Sequence, residues 1–343
     1  MKKTVLILLA SALSLAGVVS CRQQDQPEGS VTLTFSTAAP VTRVGDGNAA
    51  DGGGIVVAGN PATPDLFIAI ANYSGQVVAT YTGTNTTNAE LVGSATSTQV
   101  SVRFKNITAG EYTVYALANI AGQLWGAPAA GNWNTDLTTT VLDAMTFTDL
   151  GESGALSVTD RMPLSAKGTL SITENLNGHV ELEMLRCVGK VGFKFKNETD
   201  DALTLTDCTV GIVGINPSTG YLFPRSNDAD ATGTARNVSL SKSSIVIAKD
   251  GSSDLYDMQL VFPSVAPEQT VGSRYYCNIT FTVGGVVKPF TNLPIHDKQS
   301  QDIQALGRNQ YLQIETRINE GFNISFNFEV KDWTNKQEDI SFH

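Results

Sequence analysis

The chain has 343 residues, with 33 acidic residues against 23 Lys and Arg and a formal charge of −10. That balance repels phosphate backbones and argues against nucleic acid as a partner. The length sets a soft expectation of two domains, and four cysteines are too few for a disulfide-dense scaffold.

Lys2 and Lys3 precede an uncharged run from Thr4 to Val19, which ends in Val18-Val19-Ser20-Cys21. A positive start and a short apolar run suit a cleaved secretory signal, because a spanning helix needs about 20 apolar residues. Small residues before the cysteine form a lipobox. Cleavage between Ser20 and Cys21 then leaves Cys21 to carry acyl chains as a lipid anchor, each buried methylene contributing about 0.8 kcal/mol. The rival reading is an ordinary signal peptide that happens to contain a cysteine. Removing residues 1–20 leaves 323 residues, and the loss of Lys2 and Lys3 moves the formal charge from −10 to −12.

Residues 21–30 have no apolar periodicity and read as a tether. From Val31 the pattern changes: Val31, Leu33 and Phe35 share one face and Thr32 and Thr34 the other, the period-two mark of a half-buried strand. The strand stops at Ala38-Ala39-Pro40. Arg43 borders a Gly-, Ala- and Asp-rich stretch, 44–54, which composition marks as exposed and protease-accessible.

Further strands follow. Leu66 to Ala71 leads through Asn72-Tyr73-Ser74-Gly75 into a second strand, a hairpin pattern. SVRFKNI is followed by EYTVYALAN, which is apolar on both faces. A short helix is expected near Leu137 to Met145. In Leu182 to Phe195 the apolar face carries Leu185, Cys187, Val191, Phe193 and Phe195, with Arg186, Lys190 and Lys194 opposite. Thr206, Cys208, Val210 and Ile212 alternate, as do Tyr275, Cys277, Ile279, Phe281 and Val283. Each remaining cysteine thus falls on an apolar face, where core packing is favoured over a disulfide or a metal role.

Near the carboxyl end, Phe322, Ile324, Phe326, Phe328 and Val330 share a face. Trp333 falls out of phase, and Ile340 and Phe342 resume the alternation close to the terminus. Such an end either completes the sheet of its own domain or fills a vacancy in another molecule. The pattern as a whole predicts an all-β chain of two tandem β-sandwich domains, transthyretin-like or Ig-like with Greek-key connections, over residues 31–176 and 177–343.

Catalytic signals are lacking. His179, His296 and His343 are widely separated, no GxSxG or HExxH occurs, and the loop acids Asp200-Asp201 and Asp228-Ala229-Asp230 lack further oxygen ligands at fixed offsets. The expectation is no enzyme, no cofactor and no metal.

The chain resembles the lipoprotein-derived fimbrial subunits of Bacteroidia, the FimA/Mfa-type fimbrillins of type V pili. The likeness rests on the lipobox at Cys21, the strand VTLTF ahead of an Arg-bordered loop, and residues 109–119. It rests further on Arg161-Met162-Pro163-Leu164-Ser165, on LEMLRCVGKVGFKF and on the closing strand with Trp333 and its short apolar tail. Gly189 departs from the alanine that the family often carries there.

The resemblance implies assembly by strand exchange. An Arg-specific surface protease would cut at the bond matching Arg43-Val44, and the strand with Val31, Leu33 and Phe35 would leave with its lipid. Donor strands 322–333 and 337–343 of another copy, or of a related fimbrial subunit, would then fill the slot through Phe322, Ile324, Phe326, Phe328, Val330, Ile340 and Phe342. The chain would begin lipid-anchored in the outer membrane and end in a cell-surface fimbrium.

Two rival functions remain beside that one. The first is a tip adhesin or a basal anchor of the same pilus. The second is a surface glycan-binding lipoprotein, for which Trp125, Trp133, Tyr221 and Phe223 are the aromatic candidates; isolated loop aromatics are more often interface packing.

Overall fold

The computed structural model describes residues 29–37, 54–55, 57–58, 63–120, 133–147, 162–173, 177–225, 231–249, 251–252, 256–266, 274–297 and 299–332. Ser20, Cys21, Arg43, Val44, Trp125, Arg161, Trp333, Ile340, Phe342 and His343 lie outside these residues. The fold is all-β, as the alternation predicts.

The first half contains β1 (Gly29–Ser36), β2 (Leu66–Asn72), β3 (Val77–Thr82), β4 (Ala89–Leu91) and β5 (Gln99–Ile107). It continues with β6 (Gly110–Ala118), β7 (Leu164–Ile172), β8 (Asn177–Glu183) and β9 (Leu185–Arg186). One sheet runs β8-β1-β5-β4 and the other β9-β7-β6-β2-β3. Between them lies a core holding Val31, Leu33, Phe35, Ile68, Val102, Phe104, Val114 and Leu170.

The joint expected at residue 176 falls just before two strands that belong to these sheets. Leu182 explains why β8 stays there: a Cβ on Gly168 would lie 2.5 Å from its Cδ2, so the glycine is where the two sheets close on each other. The Met184 amide also donates to the Ser36 carbonyl at 2.8 Å.

The second half contains β10 (Gly189–Glu198), β11 (Leu203–Asn216), β12 (Arg236–Ile247), β13 (Tyr256–Val261), β14 (Tyr276–Val283), β15 (Val286–Pro294), β16 (Gln310–Asn319) and β17 (Asn323–Asp332). Its sheets run β13-β10-β16-β17 and β12-β11-β14-β15. Tyr275, Cys277, Ile279, Phe281 and Val283 are all buried in their shared core, as alternation requires. In β11 the phase changes. Leu205 is buried but Thr206 is not; the register shifts between Thr206 and Thr209, and Asp207 sits at φ 52°. An inserted residue moves the buried row to Cys208, Val210 and Ile212, as a β-bulge does.

A third apolar cluster joins the halves. Phe67, Ala69, Tyr115 and Leu117 of the β2–β6 sheet meet Leu222, Phe223, Phe262 and Tyr311, with Trp133 and Leu142 beside them. This layer explains why EYTVYALAN is apolar on both faces: one face meets the sandwich core and the other meets the second half. Helix α1 (Thr139–Asp143) lies within the stretch expected to be helical, and the Thr138 hydroxyl caps it by accepting from the Val141 amide at 3.4 Å.

The same layer corrects the reading of Arg186 and Lys190 as outward-facing, for both are buried. Arg186 Nη1 donates to Asn309 Oδ1 at 2.8 Å, and Lys190 Nζ stands 4.7 Å from the centroid of the Tyr311 ring. Arg308 ties the halves together, donating to Ser165 Oγ and to the carbonyls of Tyr221 and Leu222. Gly189 lies here too. A Cβ at that position would stand 3.0 Å from the Gly307 carbonyl oxygen, so this chain needs the glycine for a close backbone approach.

Cys187, Cys208 and Cys277 are free and buried. Burial pushes the Cys208 thiol up to about 11, with the Asp207 charge adding to it, and the Cys277 thiol up to about 12. At pH 8 the thiolate fractions are then about one in a thousand and about one in ten thousand. A charged disulfide reagent at pH 8 should therefore react with none of these three cysteines in the folded protein and with all three in denaturant. Rapid reaction of Cys277 in the native state would contradict the packing.

Candidate functional site

The site is built around β1. Valine, leucine and phenylalanine alternate with serine and threonine there, so the strand can bury one face and show a short polar row on the other. Val31, Leu33 and Phe35 are 0% exposed. At about 1.5–3 kcal/mol each, the three side chains contribute of order 5–9 kcal/mol of burial, an upper value on an extended-chain reference.

β1 is an interior strand of its sheet. It pairs antiparallel with β5, Thr32 opposite Arg103 and Thr34 opposite Ser101, and parallel with β8, Thr32 opposite His179 and Thr34 opposite Glu181. Both of its edges carry ladder hydrogen bonds. A Cβ on Gly178 would lie 3.0 Å from Val31 Cγ2, so β8 presses close against the start of β1.

The outer rim is charged on one side. Glu90 Oε2 accepts from Lys105 Nζ at 2.6 Å, and Glu90 Oε1 lies 3.4 Å from Arg103 Nη1. The Lys105 hydrogen bond, with the Arg103 charge behind it, holds the Glu90 carboxyl below the usual carboxylate range. Short side chains on β1 leave a shallow groove lined by Ser30, Thr32, Arg103, Lys105 and Gly178. On the other flank, His179 Nε2 lies 3.3 Å from Glu181 Oε1; on the β5 side the Thr34 and Ser101 hydroxyls meet at 2.9 Å.

The second group of expected residues is placed elsewhere. Ile324, Phe326, Phe328 and Val330 lie on β17, paired residue for residue with β16 from Asn319↔Asn323 to Gln310↔Asp332. Phe328 is buried, and Ile324, Phe326 and Val330 are half-buried against the second-half core. Of the two readings of this stretch, the structure has it completing its own sheet. Phe322 leaves the row: it is exposed, at φ 57°, in the one-turn 3₁₀ segment Glu320–Phe322.

Sequence reasoning missed β8 as the neighbour of β1, and with it Gly178 and His179. The only signal was the alternation of Val180 and Leu182 with His179, Glu181 and Glu183, too short to assign to either half. Of the aromatic candidates, Trp133 and Phe223 are buried in the layer between the halves, Tyr221 is half-buried, and Trp125 lies outside the described residues. Among the described residues no cluster of three or more His, Cys, Asp or Glu is arranged to hold a metal ion.

Comparison with known proteins gives the context of this site. No curated protein matches the chain. Among solved structures, the chain is similar to the tip fimbrial protein Mfa3 from Porphyromonas gingivalis, with 12% identity over 90% of this chain and 100% of the other and a TM-score of 0.54. It is also similar to a fimbrilin (FimA) from Porphyromonas gingivalis W83, with 12% identity over 89% of this chain and 98% of the other and a TM-score of 0.52. Identities this low speak for the fold alone. The family of fimbrillin-A associated anchor proteins Mfa1 and Mfa2 matches residues 74–339, most of the chain. With that match and an all-β fold shared with fimbrial proteins, the chain belongs to the fimbrillin-A associated anchor protein family and is a structural protein of cell-surface fimbriae.

Proposed function

We infer that the protein is a fimbrial subunit assembled by protease-gated strand exchange. In this reading the precursor is held in the outer membrane by lipid on Cys21 after cleavage at Ser20-Cys21. An Arg-specific protease cuts Arg43-Val44, and β1 departs with Val31, Leu33 and Phe35. The slot then receives the carboxyl-terminal segment of another copy or a related subunit. The observation that carries the reading is the place of β1: the first strand of the fold is an interior strand, buried on one face and hydrogen-bonded on both edges. Its loss would open an apolar groove flanked by two unpaired backbone edges, which a β-strand fills.

Donor work falls to residues 337–343, with Ile340 and Phe342. Using Ile324 to Val330 instead would mean unpairing the whole β16–β17 ladder. Slot and tail are different surfaces of one protein, so the contact is heterologous and need not close, and that geometry gives filaments. The proposed domains run from 31 to about 187 and from there to 343, because β8 and β9 pair within the first-half sheets, following a signal peptide at 1–20 and a tether at 21–30.

A second reading is an accessory subunit, either an anchor or a tip protein. It is favoured by the family description, which names anchor proteins, and by the fold likeness to a tip fimbrial protein. Mass spectrometry of material taken from the cell surface separates the exchanged subunit from a lipid-retaining anchor. An amino terminus at Val44 is expected for the exchanged subunit; an acylated Cys21 would overturn that and leave the lipid-anchored accessory role.

A further inference from the structure

The slot around β1 has a charge pattern as well as an apolar one, and the end of the chain matches both. Along β1 the order is Thr32-Leu33-Thr34-Phe35; along the tail it is Asp339-Ile340-Ser341-Phe342. An aliphatic and an aromatic residue stand two apart in each, with a hydroxyl residue between them. The difference is at the first position, where the threonine of β1 is an aspartate in the tail.

Thr32 is the β1 residue in register with Arg103 on one side and His179 on the other. Beside it, Arg103 and Lys105 share Glu90, so among the described residues two cations on that rim are answered by a single carboxylate. A negative charge at the place of Thr32 would balance them.

We propose that residues Asp339–His343 of a second copy enter the place of β1 in one register, with Ile340 and Phe342 where Leu33 and Phe35 lie and Asp339 between Arg103 and His179. This rests on the strand-exchange reading above and adds to it the register and the residues that select it. Ser341 then stands where Thr34 does and keeps a hydroxyl facing Ser101. An unpaired carboxylate at the buried place of Val31, against Gly178, would be costly, so Glu338 stays outside the slot and the apolar row of the tail begins at Ile340. Residues 333–338 are left to bridge from β17 of the donor copy, about 20 Å when extended.

The rival occupant is Phe322-Asn323-Ile324-Ser325-Phe326, which carries the same Ile-Ser-Phe order. It brings asparagine, not a charge, to the place of Thr32, and most of it is already paired in β17.

Intermolecular disulfide trapping tests the register. Full-length protein carrying Ser101→Cys and Ser341→Cys would be cut with an Arg-specific protease, allowed to assemble under reducing conditions, then oxidised. A ladder of disulfide-linked oligomers is expected from this pair. Lys105→Cys with Ser341→Cys, shifted along β5, is expected to give less than a tenth of it. A ladder from the Lys105 pair, or from Ser101→Cys with Ser325→Cys, would overturn the register while leaving strand exchange standing. Absence of any oligomer from the cut wild-type protein would remove the exchange reading and the register together.

Charge reversal gives a second readout. Asp339→Lys places like charges opposite Arg103 and should weaken assembly about tenfold, and Arg103→Glu added to it should restore most of the loss. No effect of Asp339→Lys on assembly would remove the proposed charge selection.

Discussion

Arg43→Ala is expected to leave the protein monomeric, with Cys21 still at its amino terminus, under conditions in which the wild type forms a ladder of oligomers. In the strand-exchange reading, β1 and the incoming tail compete for the same slot, but on unequal terms. While the chain is intact β1 is an intramolecular strand, and its covalent connection gives it an effective concentration in the millimolar range. A neighbouring copy at micromolar concentration is then disfavoured about a thousandfold, even with equal contacts. Cutting the connection removes that advantage. Size-exclusion chromatography and gel ladders of Arg43→Ala, Arg43→Lys and wild-type protein after protease treatment decide the matter. Loss of oligomers in both variants assigns the cut to an Arg-specific protease at this bond. Unchanged oligomers in Arg43→Ala would mean that β1 is not released there.

Local pattern carried much of the fold. The alternation of Val31, Leu33 and Phe35 and that of Tyr275 to Val283 were legible, because each side chain in a strand faces the side its parity dictates and those strands run without interruption. What failed depended on distant partners. Arg186 and Lys190 occupy the polar parity of their strand, yet the second half of the chain covers that side with Tyr311 and Asn309. The switch of phase in β11 depends on one residue, Asp207, inserted against a neighbouring strand whose register no local pattern reveals. The row Ile324 to Val330 reads equally well as a strand of its own sheet or of another molecule, and only the pairing with β16 shows where it sits within this chain. Of the candidate site, the apolar row of β1 was readable. Its neighbour β8 was not, because parallel pairing joins segments far apart in sequence.

Phe35→Ala should have opposite effects before and after maturation. In the uncut protein Phe35 is fully buried in the first-half core, among the largest side chains with no exposure there. Truncating it costs about 3–5 kcal/mol through lost burial and the cavity left behind, so calorimetry of the uncut protein should show a melting temperature lower by about 10 °C. Once Arg43-Val44 is cut, the same substitution weakens only the strand that has to leave. Its departure should quicken by about a hundredfold, since most of the lost stability appears in the dissociation rate, and oligomers should form sooner. In the strand-exchange reading the finished oligomers contain no residue 35, so their resistance to dissociation should equal that of the wild type. A plug and a permanent core strand differ on this point. If Phe35→Ala oligomers, once formed, came apart more easily than wild-type ones, β1 would still be inside them, and the slot would never have changed hands.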